Sequence, residues 1–360
     1  MNGVGHLASS RSIVVCCGTG GVGKTTTAAA VALEAARRGR RAVVVTIDPA
    51  KRLADALGAS GALSNTPVRI EGDWPGQLWG VMLDTKTTFD QLVLRYSGDR
   101  AQAERILDNR FYRNISSALS GTQEYMAAEK LYELHDEEHF DLVVVDTPPT
   151  HNALDFLDAP GRLTRFLDHR LYRVLMAPTR MYLKAVNAAA RTVLRSMTKV
   201  VGAEVISDAI AFFQAFDGME AGFRDRASRV LHLLGAPETA YVLVAVPRAD
   251  AVEEAMYFAT RLAQNGMGVA ALIVNRVHPT FGTGSADDAH DAAAAHAGTD
   301  LGRLWDNLAQ FRDAAGREAE QLTSLRAQIG DATVCLVPQL ADDVHDVDGL
   351  RAVGRHLFAE

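Results

Sequence analysis

The sequence predicts an α/β protein: a doubly wound, mostly parallel sheet that carries a phosphate loop and has a helical subdomain attached. Three observations predict it. A short apolar run breaks at a glycine-rich loop that ends in Gly-Lys-Thr before an alanine-rich run, the order of strand, loop and helix. Further apolar runs, two of them ending in Asp, alternate with helical segments, which is the rhythm of parallel strands joined by crossover helices. Two stretches, about 86–130 and 160–235, read as helix throughout and are expected to form a subdomain at one edge of the sheet. Composition allows a sizeable core, with 48% hydrophobic residues in 360. The formal net charge of -7 gives no electrostatic case for binding nucleic acid.

Residues 1–11 read as a flexible tail before a single domain spanning 12–358. The first strand is Ile13-Val14-Val15-Cys16-Cys17. Gly18-x4-Gly23-Lys24-Thr25 then fits the full phosphate-loop pattern. Glycines let backbone N–H groups curl around phosphate oxygens where a side chain would block the approach. Gly20, Gly21, Val22, Gly23, Lys24, Thr25 and Thr26 are therefore the expected phosphate cradle, with Lys24 reaching the β- and γ-phosphates and the Thr25 hydroxyl holding Mg²⁺. A helix follows from about Lys24 to Arg38, its N-terminus favouring the anion and Gly39 ending it.

Arg41 to Asp48 reads as a buried parallel strand ending in a carboxylate, as does Phe140 to Asp146. Tyr241–Val246, Ala270–Asn275 and Thr333–Val337 complete the expected strands. Ligands on such a sheet sit at the carboxyl ends of its strands, where Asp48, Asp146, Asn275 and Pro338 fall. Hydrolysis at a phosphate loop needs an oriented water and a metal that neutralises developing charge. Asp146 is placed for the Mg²⁺ shell, and Asp48, opening Asp48-Pro49-Ala50, is placed to orient or deprotonate the water.

The helical stretch 162–199 carries nine Lys/Arg and one Asp. Arg180, Lys184, Arg191, Arg195 and Lys199 share one face, which suits solvent, an acidic partner or a membrane surface. Val205, Ile206, Ala209, Ile210, Phe212, Phe213 and Phe216 form an apolar face that is either core or a groove. From His278 to Ala297 the chain suggests a mobile loop running into an alanine-rich helix, and its His and Asp residues match no zinc spacing. Cys16, Cys17 and Cys335 form no CxxC pair. With no secretion signal expected at the N-terminus, the expected setting is cytoplasmic, peripheral to a membrane if the basic face docks there.

Gly20-Gly21-Val22-Gly23-Lys24-Thr25-Thr26, then Asp48-Pro49-Ala50, then Asp146-Thr147-Pro148-Pro149-Thr150 resembles the arsenite-pump ATPase and tail-anchored-protein targeting factor family, above all its paired actinobacterial members. Ile273-Val274-Asn275 resembles the family's adenine-contacting Asn motif. Val337-Pro338-Gln339-Leu340 resembles its adenine loop. The resemblance runs from about residue 12 to 358 and implies a dimeric, Mg²⁺-dependent ATPase that opens and closes with ATP. It makes Asp48 the catalytic acid of the first switch, while Asp146–Thr150 opens the second.

Departures from the family pattern refine these expectations. Thr19 stands where the family has a Lys that reaches the partner's phosphate, so this subunit should not complete its partner's site. The zinc-binding CxxC and the metalloid-binding cysteines are missing, so neither a zinc nor an arsenite site is expected. The second switch reads Thr150-His151-Asn152 in place of Thr-Gly-His, and Arg248 stands where many members have Glu. The expected assembly is a heterodimer with a paralogous ATPase subunit that carries the missing Lys, with a homodimer as the other arrangement. A nearly inactive regulatory ATP-binding subunit and a chaperone or targeting factor for an apolar segment are the competing functions.

Overall fold

Runs of Val, Ile, Leu and Ala between helices form strands that are buried on both faces, as central parallel strands require. The computed structural model describes residues 3–47, 52–59, 63–115, 122–148, 155–168 and 203–359. Among these, one sheet holds β1 (Ile13–Cys17), β2 (Arg41–Thr46), β3 (Val68–Ile70), β4 (Gln77–Met82), β5 (Leu142–Asp146), β6 (Thr239–Ala245), β7 (Val269–Val277) and β8 (Thr333–Pro338). Their order is β3-β4-β2-β5-β1-β6-β7-β8. Neighbours run parallel throughout, except that β3 is antiparallel to β4 at one edge. The fold is thus the mostly parallel α/β sheet that the sequence predicts. β3 and β4 escape sequence reading. Gly80 interrupts Gln77–Met82, and there is no continuous apolar run; pairing with β2 from Arg41 to Thr46 supplies the order.

The described chain falls into two compact units. The first comprises Met1–Met82, Leu134–Leu154 and Pro237–Glu360 and contains the sheet; the second comprises Leu83–Glu133 and Asp155–Ala236.

In the first unit, the helix Lys24–Arg37 packs on β2 and β5 with Ala28, Ala29, Ala30, Ala32, Ala35 and Ala36 all buried. Alanine lets a helix approach a sheet closely without losing side-chain entropy. The expected flexible tail is corrected here: Val4–Ser10 is a helix whose Val4, Leu7 and Ala8 join the core. Arg38 Nη1 donates to Ser9 Oγ at 2.8 Å, and Arg40 Nη1 donates to the Ala8 carbonyl at 2.8 Å. Seven residues are too few to hold a helix by propensity, so its packing and these tertiary hydrogen bonds stabilise it, and the sequence shows no sign of it.

The loop after His278 is tied down. Glu318 accepts from the His278 backbone N–H at 2.9 Å and pairs with its Nδ1 at 2.6 Å. Arg312 donates to the carbonyls of Phe281, Thr283 and Ser285 at 3.2, 2.8 and 2.9 Å. Ser285 and Asp288 then form a capping box on the helix Ala286–Ala295.

The second unit is helical: Thr85–Tyr96, Arg100–Leu107, Arg110–Ile115, Thr122–Tyr132, Asp155–Asp168, Ala203–Ala215 and Glu220–Leu234. Asp84 and Asp99 cap the first two by accepting from the backbone N–H of Thr87 and Gln102. Its core is aromatic. Tyr112 stacks on Phe212 with centroids 6.0 Å apart, and Phe216 lies 5.4 Å from Phe223. Phe212 and Phe216, which the sequence left between core and groove, are core, whereas Val205 is exposed. Arg226 and Glu129 form a buried ion pair, and the Arg226 guanidinium also lies 4.0 Å from the Tyr132 ring centroid. The basic face at 180–199 lies outside the described residues. No helix among the described residues is long and apolar enough to cross a membrane.

Candidate functional site: the phosphate loop and its strand ends

The sheet register assembles the site. Asp146, the last residue of β5, lies opposite Cys16 of β1 and Thr46 of β2. The loop leaving β1 turns at Gly18, Gly21 and Gly23, all at positive φ. At two of these no side chain fits. A Cβ at Gly18 would lie 2.1 Å from the Val244 carbonyl oxygen, and one at Gly23 would lie 2.3 Å from Asn275 Nδ2. Gly23 is also the left-handed N-cap of the helix Lys24–Arg37, so the loop delivers the helix N-terminus to the strand ends.

Lys24 is nearly buried, and its Nζ donates to the Thr19 carbonyl at 2.8 Å. Burial lowers its pKa from the ordinary lysine value, and the Asp146 carboxylate opposes that shift. Thr25 Oγ1 donates to Asp146 Oδ2 at 2.7 Å, and Thr46 Oγ1 donates to the same oxygen at 2.9 Å. Thr147, also buried, donates from Oγ1 to the Cys16 carbonyl at 2.7 Å and anchors the start of the β5 loop. A cleft of about 360 Å³ opens here, lined by Gly21, Gly23, Lys24, Thr25, Thr26, Arg52, Asp146, Thr147 and Arg276. Its Thr25 hydroxyl and Asp146 carboxylate are hard oxygen donors, the set that suits Mg²⁺, and no thiol or imidazole is among the lining residues.

A second cleft, of about 410 Å³, shares Gly23, Thr26, Arg52 and Arg276 with the first and adds Asn275, Pro338, Gln339 and Leu340. Asn275 is committed at both ends of its amide. Nδ2 donates to the Val22 carbonyl at 3.0 Å, and Oδ1 accepts from the Arg276 N–H at 2.9 Å. The Val22 side chain is buried beneath the loop, so its backbone serves the site.

The structure therefore brings Gly21, Gly23, Lys24, Thr25, Thr26 and Asp146 to one cleft and Asn275 and Pro338 to its neighbour. Gly20 is exposed and lines neither. Asp48 and the second-switch residues 149–154 lie outside the described residues. Sequence reading missed Thr46, Arg52 and Arg276, and it held Thr147 only as part of the second-switch motif. Register reveals Thr46, which stands opposite Asp146; Arg276 carried no signal as a lone charge at a strand end.

The cysteines are dispersed. Cys16 and Cys17 are buried neighbours on β1 and so point to opposite faces of the sheet, while Cys335 lies on β8, with β6 and β7 between. Burial pushes the Cys17 thiol up to about 12 and raises Cys16 as well, where Asp146 adds to it. Thiolates do the reacting. A thiol reagent at pH 8 is therefore expected to modify at most Cys335 in the native protein and all three cysteines in denaturant. Rapid native labelling of Cys16 or Cys17, read by mass spectrometry, would contradict the buried β1.

A glycine loop between a central strand and a helix N-terminus, with Lys and Thr at the helix start and an Asp on the adjacent strand end, defines a phosphate-loop protein. Residues 11–289 match the family described as anion-transporting ATPase, and the chain belongs to that family. Among curated relatives, it is 29% identical over 155 residues to the ATPase ASNA1 homolog 1 of Paramecium tetraurelia, covering 42% of this chain and 44% of that protein. It is 29% identical over 154 residues to the ATPase GET3 of Malassezia globosa, covering 43% and 44%. An uncharacterized protein of Streptomyces coelicolor is 30% identical over 263 residues, covering 73% of this chain and 61% of its own length. The chain spans less than half the length of the first two relatives.

Proposed function

We propose that the chain binds ATP with Mg²⁺ at the phosphate loop and hydrolyses it, as a dimeric ATPase whose nucleotide state acts on its helical unit. The observation that carries this reading is the meeting of Thr25 and Asp146 at 2.7 Å beside the nearly buried Lys24. Those groups supply what phosphoryl transfer asks of a protein: a cation at the phosphates, oxygen donors for the metal, and backbone N–H groups around the anion. In this reading Thr25 and Asp146 hold the metal, which neutralises charge on the phosphates when bound. Lys24 lies on the phosphates, Asn275 and Pro338 line the adenine side, and Asp48 orients the attacking water. A cytoplasmic setting belongs to the same proposal and rests on the free cysteines.

The partner we infer is a paralogous subunit carrying the Lys that Thr19 replaces. Thr19 offers its carbonyl to Lys24 but no cation to a facing site. The same feature supports a second reading, a regulatory subunit that binds ATP and turns it over slowly alone. Turnover of the purified chain with and without a paralogue separates the two.

The nucleotide assignment is tested by Lys24→Ala. Ligand binding to the folded state alone stabilises it by linkage, about 2.7 kcal/mol at a hundredfold excess over Kd. Lys24→Ala is expected to lose most of the ATP-dependent rise in melting temperature. The same rise in the variant and the parent would overturn the assignment.

A further inference from the structure

β7 is irregular where it reaches the phosphate loop. Its register against β8 shifts between Val274 and Val277, and Arg276 sits at φ 58°. Left-handed backbone is rare for a side chain of this size and persists only where the surroundings impose it. Here Asn275 imposes it, with one end of its amide on the Arg276 N–H and the other on the Val22 carbonyl of the loop. A bulge re-aims side chains next to a site, and this one puts Arg276 on the lining of both clefts.

Gly23, Thr26, Arg52 and Arg276 are the residues common to the two clefts, so they mark the passage from the phosphate loop to the nucleoside side. The second cleft also carries Asp55, Asp342 and Asp343. Without cations at the passage, those carboxylates would repel a polyphosphate. Arg312, Arg40 and Arg41 of this unit are spent on structure: Arg312 on three carbonyls, Arg40 on the Ala8 carbonyl, Arg41 over the Phe140 ring. Among the described residues, no ion pair engages the Arg276 guanidinium.

We propose that Arg276 binds the phosphate nearest the nucleoside in cis. The proposal rests on the nucleotide reading above. A guanidinium forms charge-assisted, bidentate bonds to phosphate oxygens. That phosphate is common to ATP and ADP and takes no part in transfer of the terminal one. The contact is therefore equal in ground state and transition state, and it sets affinity but not the rate of the chemical step.

The test uses Arg276→Gly, which keeps the left-handed backbone and removes the guanidinium, with Arg276→Asn as a second variant tolerant of that backbone and Lys24→Ala as the control. Affinities for MgATP and MgADP are measured by calorimetry, turnover by phosphate release, and melting temperature without nucleotide. Both Arg276 variants are expected to bind ATP and ADP alike about tenfold or more weakly, the scale of a lost charged hydrogen bond. KM should rise, kcat should stay within about twofold, and nucleotide-free melting should match the parent. Parent-like affinity in both variants, with Lys24→Ala defective, overturns the proposal and leaves the nucleotide reading standing. A fall in kcat at unchanged KM, or a fall in nucleotide-free melting in both variants, also overturns it. A parent that binds neither nucleotide overturns the nucleotide reading and the proposal together.

Discussion

Thr19→Lys is expected to raise ATP turnover of the isolated chain by roughly 10³-fold at concentrations where it self-associates, the scale on which a cation supplied in trans acts in phosphoryl transfer. Lys24, Thr25 and Asp146 are gathered at one cleft, yet position 19 offers only a hydroxyl. A symmetric dimer would lack the cross-dimer cation at both sites. A partner with the Lys would complete this chain's site, while this chain could not complete the partner's, so the two sites of a heterodimer would be unequal. The substitution is mild for the loop, because Lys24 holds position 19 by its backbone carbonyl and Thr19 Oγ1 reaches only the Gly20 carbonyl at 3.4 Å. Phosphate release measured across a concentration series, alongside sedimentation, reads the effect. A stable homodimer with full activity that Thr19→Lys does not change would sink the heterodimer proposal.

Asp48→Asn is expected to bind ATP as the parent does and to turn it over at least ~10²-fold more slowly, the scale of a positioned acid or base. The role we propose for Asp48 is carried by the resemblance of Asp48-Pro49-Ala50 to the family's first switch. The Ile47 N–H donates to the Asp146 carbonyl at 3.3 Å. Ile47, the last described residue before Asp48, is thus bonded to the strand end that carries Asp146. Asn keeps the size and hydrogen-bonding reach and removes the charge. Single-turnover kinetics with affinity measured in parallel distinguish the step affected. Parent-like turnover in a folded Asp48→Asn would assign the water to another residue.

The phosphate loop was legible because its chemistry is local. Gly18, Gly23, Lys24 and Thr25 answer to backbone freedom, a cation and a hydroxyl within eight residues, and the strand and helix on either side are strongly patterned. The central strands were legible for a similar reason, since burial on both faces leaves continuous apolar runs. By itself the sequence also determined that Asp146 ends a strand and that Thr19 breaks the family pattern.

Tertiary structure decided what depends on partners distant in the chain. β4 is a strand because β2 pairs with it, and Val4–Ser10 is a helix because the first unit's core takes up Val4, Leu7 and Ala8. Phe212 and Phe216 are core because Tyr112 and Phe223 meet them, a fact no helical periodicity contains. Register alone joins Thr46 to Asp146 across 100 residues. Arg276 came to line both clefts through the irregularity of β7, where Asn275 bonds to Val22, 253 residues earlier. Local patterns report the preferences of a segment, whereas hydrogen-bond pairing and close packing select among those preferences, and only the folded chain supplies the partners.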